Sequence, residues 1–249
     1  MLYLISLGLY DEKDMSIRAL ETAQKCDILY LELYTTRMNI DEKKLNKLIG
    51  KPVKEIKRSD LEEGIETILK EAKEKNVGIL VGGDALVATT HTSIILDAKK
   101  AGIETQVIHG SSIYSAIGES GLQPYKFGAT TTIAYPQDNY KPTSCYETIQ
   151  KNKKNGLHTL VLLDVKSEEN RYMTVKEGLE ILIDMEKEKK QDVITEETLV
   201  IGVYQIGGEQ QIVSGKAKEL ITKNIKTTPS VILIPGELHF LEKEFIESV

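Results

Sequence analysis

Cysteine is almost absent from this 249-residue chain: Cys26 and Cys145 are too few for a disulfide framework, and neither stands in a CxxC pair, which fits a reducing cytoplasm. Tryptophan is missing and aromatics are scarce, at 3 Phe and 11 Tyr. No apolar run approaches the roughly 20 residues that cross a bilayer, so no membrane span is expected. The first segment, MLYLISLGLYDE, has no basic stretch ahead of its short apolar run. It reads as a buried strand rather than a signal peptide. Nor is there an excess of basic charge. The net charge is −6 and the pI about 5.4, without the footprint that non-specific nucleic-acid binding needs. What remains, 41% hydrophobic and 28% charged residues, is ordinary for a soluble globular protein and enough for one large or two modest α/β domains.

Several motifs are missing too. The first strand runs into Gly8-Leu9-Tyr10-Asp11 without the GxGxxG that admits a dinucleotide pyrophosphate. Gly215-Lys216-Ala217 ends like a P-loop, but Gln210 occupies the position of its first glycine and Ala217 cannot ligate magnesium. His91, His109, His158 and His239 are widely spaced and show no metal-ligand pattern, so no metal site is expected. Each reads alone as a packed or capping residue. Cys26 reads as a small core residue.

What is present is a regular alternation of strand and helix patterns, the mark of an α/β protein with largely parallel sheets. Apolar runs at 2–7, 28–33, 53–56, 77–81 and 104–108 predict strands. Leu61, Ile65, Ile68, Leu69 and Ala72 predict a helix over 61–75, and another helix is expected over about 89–101. The stretch 134–144, AYPQDNYKPTS, has proline at 136 and 142 with Asp138 and Asn139 between them, and no periodicity. It predicts a stiff connector, and places the boundary between an N-terminal domain, 1–135, and a C-terminal domain, 136–249. Beyond it, strands are expected at 157–165, 199–206, 210–213 and 231–234, and helices at 175–189 and 238–246.

Two strand exits carry the strongest local signals. After 77–81 comes GGDALVATTH (82–91), where paired glycines permit a sharp turn and close backbone approach to a ligand. Asp84 is expected at a helix N-terminus, and the same residues also describe an ordinary capped strand-to-helix turn. After 104–108 comes HGSSIYSA (109–116), which offers unpaired backbone N–H groups or simply an N-cap by Ser111 or Ser112. Thr227-Thr228-Pro229-Ser230, before the last strand, is a weaker signal of rigid backbone.

Together with GLYDE, YKFG, GLHTLVLLD, AYPQDNYKPTSCYETI and PGELHFLE, these segments resemble the tetrapyrrole-methylase superfamily, and within it the diphthine synthase family, over essentially the whole chain. Ala85 stands where the superfamily pattern GxGDP has proline. The resemblance implies two α/β domains with S-adenosylmethionine in a cleft between them. It assigns cofactor contacts to Leu9, Asp84, Val87, Ser112, Ile113, Leu163, Ile206 and Ser230. It further implies methylation of a 3-amino-3-carboxypropyl chain on a histidine of translation elongation factor 2, by a homodimer that yields S-adenosylhomocysteine.

Such a displacement at sulfonium carbon needs an unprotonated amine and no enzyme nucleophile, which agrees with the missing triad and metal cluster. Asp84, Tyr114 or solvent could take the proton. A basic residue is expected for the substrate's carboxylate, with Arg171 and Lys126 as candidates. Three other readings stand beside this one. They are a cobalamin-pathway tetrapyrrole methyltransferase, a ribosomal-RNA methyltransferase disfavoured by the acidic balance, and a non-catalytic nucleotide-binding scaffold.

Overall fold

The computed structural model describes residues 1–62, 64–137 and 141–248. The chain divides into two compact units, Met1–Tyr114 and Ser115–Val249. In the first, β1 (Leu2–Ser6), α1 (Ile17–Lys25), β2 (Ile28–Glu32), α2 (Glu42–Ile49), β3 (Lys54–Ile56), α3 (Arg58–Glu62), α4 (Ile65–Glu74), β4 (Val77–Val81), α5 (Thr92–Lys100) and β5 (Thr105–Ile108) follow in order. The strands form one sheet, β3-β2-β4-β1-β5, parallel throughout. Alternation along each strand sends Leu4 and Ile79 to a core shared with Ile68, Leu69 and Ala72 of α4 and with Ile94 and Ala98 of α5. Ile5 and Leu80 go to the opposite core, with Ala19, Ala23 and Cys26 near α1 and Leu45 and Ile49 of α2. Helices on both faces explain why these strands read as continuous apolar runs. Cys26 is fully buried, and burial pushes its thiol up to about 11, so it is the core residue expected. The helix expected over 61–75 is broken at Gly64, whose N–H closes back on Ser59 O (2.9 Å) before α4 begins.

The short α6 (Ile113–Ala116) spans the division. The second unit continues with β6 (Thr131–Ile133), α7 (Ser144–Lys154), β7 (Thr159–Leu163), β8 (Val165–Lys166), β9 (Arg171–Tyr172), α8 (Val175–Lys189), β10 (Leu199–Tyr204), β11 (Gln211–Lys216), α9 (Ala217–Lys223), β12 (Ser230–Ile234) and α10 (Phe240–Ile246). Its main sheet, β11-β10-β12-β7-β6, is mixed: only β6 and β7 pair in parallel. The connection from β10 to β11, residues 205–210, is too short for a crossover and forces an antiparallel hairpin. The domain boundary expected at 135/136 falls inside this unit, because β6 ties the residues ahead of the proline-rich stretch to β7. Asp138 and Asn139 of that stretch lie outside the described residues.

Two carboxylates organise the second unit. Glu242, 1% exposed, accepts from Gln123 N (2.9 Å) and His239 N (2.7 Å), pairs with Lys126 Nζ (2.6 Å) and meets His158 Nε2 (3.0 Å). Gly236 N–H donates to His158 Nδ1 (2.9 Å), so Nε2 carries the proton that faces Glu242. Burial lowers the His158 pKa, against the pull of Glu242. Burial alone would raise Glu242, but Lys126 and the backbone donors outweigh it and draw it down to about 2. Glu186 near the end of α8 accepts from Gln191, Asp192, Val193 and Ile194 N–H groups and from the Tyr146 hydroxyl, and it too is drawn to about 2 against its own burial.

Both folded-state values lie below the ordinary carboxylate value of 4.5. The stability these groups contribute is therefore complete above about pH 4.5, and is lost as the pH falls from there towards 2. Urea unfolding followed from pH 7 to pH 3 is expected to show a midpoint that falls steeply below pH 5. Glu242→Gln should lose about 3 kcal/mol at pH 7 and show a flatter acid limb. An acid limb unchanged by Glu242→Gln contradicts this assignment.

Candidate functional site

In a parallel sheet all carboxyl ends lie on one edge, so the exits of the neighbours β4, β1 and β5 emerge side by side. The structure binds these exits together. Gly8 N–H donates to Gly83 O (3.2 Å) and Gly83 N–H donates back to Gly8 O (2.8 Å). Both glycines have positive φ, 89° and 70°, which gives the motifs GLYDE and GGDALVATTH a backbone reason for glycine. The buried Ser6 hydroxyl accepts from Ala85 N (3.0 Å). A Cβ on Gly110 would stand 2.7 Å from Ser6 Cβ, so the 109–112 segment also lies directly against β1.

Asp84 is the junction. It is 6% exposed; Oδ1 accepts from Leu86 N (3.0 Å), and Oδ2 accepts from Gly110 N (3.1 Å) and lies 2.9 Å from His109 Nδ1. Burial alone would raise its pKa, but the Leu86, His109 and Gly110 contacts outweigh it and hold the carboxyl below its ordinary value. Asp84 is thus not the helix cap expected from sequence, since α5 starts only at Thr92. Residues 85–91 form a folded loop instead, with Ala88 at φ 56°, a conformation no α-helix admits.

That loop has its own support, which the sequence did not disclose. Ala85 O accepts from the Thr89 hydroxyl (2.8 Å) and from His91 Nδ1 (3.0 Å). His91, 1% exposed, turns Nε2 to within 3.6 Å of the fully buried Glu32, whose oxygens accept from Thr35 N and Oγ1. Glu32 ends β2, outside every motif singled out. Its signal was a carboxylate closing an apolar strand.

Of the residues assigned to the cofactor by resemblance, Leu9, Asp84, Val87, Ser112 and Ile113 all belong to these three exits in the first unit. Leu9, Val87 and Ile113 are half-buried and Ser112 is buried. The other three belong to the second unit: Leu163 closes β7, Ile206 follows β10 and Ser230 opens β12. Ser230 stands directly opposite Tyr204 in the β10–β12 register. The Ser230 hydroxyl is buried and has no hydrogen-bond partner among the described residues. Of the two basic candidates, Lys126 is engaged by Glu242 and by Glu237 O (2.6 Å), and is a structural cation. Arg171 is exposed and lies on the Tyr135 ring, 3.6 Å from its centroid. Among the described residues no group of three or more His, Cys, Asp or Glu could hold a metal ion.

The contact between Gly110 and Ser6 leaves no room for a side chain. Gly110→Ala is expected to lower stability by roughly 1–3 kcal/mol in chemical denaturation, through overpacking at the strand exit. Ser111→Ala, at an exposed position in the same segment, should change it by under about 0.5 kcal/mol. Equal effects would show that the segment is not packed as described.

A family model described as tetrapyrrole (corrin/porphyrin) methylases matches residues 1–221. The chain is 42% identical over 251 residues to a diphthine synthase of Methanocaldococcus jannaschii, with 99% of this chain and 98% of that relative aligned. It is 43% identical over 253 residues to a diphthine synthase of Methanocella arvoryzae, with 100% and 98% aligned. A crystal structure assigned as a diphthine synthase from Entamoeba histolytica superposes with a TM-score of 0.92 at 40% identity, covering 100% of this chain and 97% of the other. A second diphthine synthase structure gives 0.90 at 31% identity, covering 99% and 94%. The chain therefore belongs to the tetrapyrrole methylases and, within them, to the diphthine synthase family of methyltransferases.

Proposed function

We propose that this methyltransferase uses S-adenosylmethionine to methylate, up to three times, the amino group of a 3-amino-3-carboxypropyl chain on a histidine of translation elongation factor 2. The observation that carries the reading is the locked carboxyl edge of the first unit, where three family motifs meet through hydrogen bonds to Asp84 and between Gly8 and Gly83. The residues present fit the cofactor. Nothing stands within 4 Å of the place a Cβ would take on Gly83, which leaves open space over a half-buried turn of backbone. The buried Ser230 hydroxyl lacks a protein partner, as a group that serves a polar ligand edge would. In the first unit Leu9, Val87 and Ile113 offer apolar contact and Ser112 a hydroxyl; in the second, Leu163 and Ile206 are apolar as well.

When bound, the cofactor supplies a methyl group on a cationic sulfur, and the chain supplies orientation and exclusion of water. Asp84 takes no proton in this account. Its pKa is held down and both oxygens already accept from the protein, so its role is to fix backbone rather than to act as a base. The amine proton leaves to solvent. Three successive additions require a site that recognises the carboxylate and the histidine, not the amine hydrogens. The same reading makes the enzyme a cytoplasmic homodimer that binds neither nucleic acid nor membrane. The net charge of −6 supports the absence of nucleic acid, and no helix among the described residues is long and apolar enough to cross a membrane.

Purified protein should be incubated with S-adenosylmethionine and elongation factor 2 bearing the aminocarboxypropyl histidine, and the histidine peptide weighed by mass spectrometry. A gain of up to three methyl groups, confined to the pre-modified protein, is expected. No gain in a sample that binds the cofactor would reject this substrate and redirect the search to tetrapyrroles.

A further inference from the structure

The hairpin β8–β9 follows immediately on Leu163 and is tied to the strand it leaves. Asp164 Oδ2 accepts from Tyr135 N (2.9 Å), and Asp164 O accepts from Met173 N (3.0 Å). Lys166 and Arg171 stand directly opposite each other in its antiparallel register, so their side chains leave the same face. Both are turned onto one aromatic ring: Arg171 Cζ is 3.6 Å and Lys166 Nζ 5.8 Å from the centroid of Tyr135. Tyr135 is 6% exposed, and its hydroxyl has no hydrogen-bond partner among the described residues. Burial, followed by the Glu177 carboxylate, raises its pKa against the effect of Arg171, so the phenol stays protonated as a donor.

Two cations share one buried ring, and among the described residues Glu169 is the carboxylate that reaches either of them, at Lys166. Glu177 Oε2 accepts from Thr174 N and Oγ1 in the cap of α8, Asp164 holds Tyr135 N, and Glu169 pairs with Lys166 in solvent at 3.4 Å. Arg171 has no carboxylate partner among the described residues. The Arg171 guanidinium lies against the Tyr135 ring and beside its hydroxyl, and its five N–H donors exceed what that contact uses, which leaves donors for the oxygens of a carboxylate.

Resting on the functional reading above, we propose that Arg171, Lys166 and Tyr135 form the subsite for the carboxylate of the substrate's aminocarboxypropyl chain. The subsite explains how an amine can be accepted with none, one or two methyl groups already present: the fixed handle is the carboxylate, which methylation leaves unchanged. Tyr135 then positions the guanidinium, and Arg171 and Lys166 provide the charge.

The test compares wild type, Arg171→Gln and Lys166→Gln on elongation factor 2 carrying the aminocarboxypropyl histidine, and on the same protein with that carboxyl group converted to its amide. Arg171→Gln should raise KM for the carboxylate substrate by about tenfold or more, with kcat and the S-adenosylmethionine Kd each changed by less than about twofold. Lys166→Gln should give a smaller rise. Amidation should cost wild type a similar factor and cost Arg171→Gln little more, because the partner is already gone. A KM unchanged by Arg171→Gln, or a rise equal for carboxylate and amide substrates, overturns the subsite. A rise in cofactor Kd instead assigns these residues to the methionine carboxylate of the cofactor and overturns the substrate assignment. A wild type that binds cofactor but methylates neither form rejects the functional reading itself.

Discussion

A parallel sheet determines where each strand ends but leaves the chain beyond each end free to diverge. In the first unit that freedom is removed by one carboxylate. Asp84 leaves β4, accepts from Leu86 two residues on, and reaches Gly110 and His109 beyond β5. The reciprocal Gly8–Gly83 bridge brings in the exit of β1. A buried carboxylate without such partners would cost several kcal/mol or would take up a proton. The three exits and the carboxylate therefore depend on one another, and the residues assigned to the cofactor in this unit sit on backbone whose shape follows from that dependence. Loop 85–91 adds the reinforcement of His91 and Glu32 behind it, so the edge is rigid without being helical.

The second unit uses the same device for a different purpose. Glu242 collects Gln123, Lys126, His158 and His239, and thereby fastens α10 to the start of β7 and to the segment before β6. Gln123 N, His239 N, Lys126 Nζ and His158 Nε2 all turn onto this one carboxylate. The contrast with Arg171 is informative. Lys126 and Arg171 look alike in sequence, yet one is neutralised by Glu242 and the other lies against Tyr135 without a carboxylate partner among the described residues. Partner bookkeeping separates the structural cation from the one available for recognition.

Element types were largely legible in the sequence, since apolar runs ended by glycine are what buried parallel strands require, and the strands around 2–7, 77–81 and 104–108 appear as expected. The motifs at the exits of β1, β4 and β5 were also visible. What they do was not, because Asp84 reads as a cap until Ala88, at positive φ, breaks the helix and the carboxylate turns to Gly110. The membership of β6 in the second sheet follows from its pairing with β7 on the far side of α7, which local periodicity cannot report. YKFG, GLHTLVLLD and PGELHFLE were recognisable as segments of a family resemblance. Their common cause, the Lys126–His158–Glu242 cluster, emerges only when residues 116 and 84 positions apart are placed side by side.

The central claim is that the Asp84 carboxylate shapes the edge proposed to bind S-adenosylmethionine. The direct measurement is calorimetric titration of the cofactor into wild type and into Asp84→Asn, with thermal unfolding of both recorded alongside. The side-chain oxygen of asparagine can still accept from Leu86, but its amide cannot serve Gly110 and His109 as the carboxylate does. The account predicts a folded variant with a Tm lowered by several degrees and a cofactor Kd raised by about tenfold or more. A variant that melts at a lower temperature yet binds the cofactor as tightly as wild type would contradict it, and would place the cofactor away from this edge.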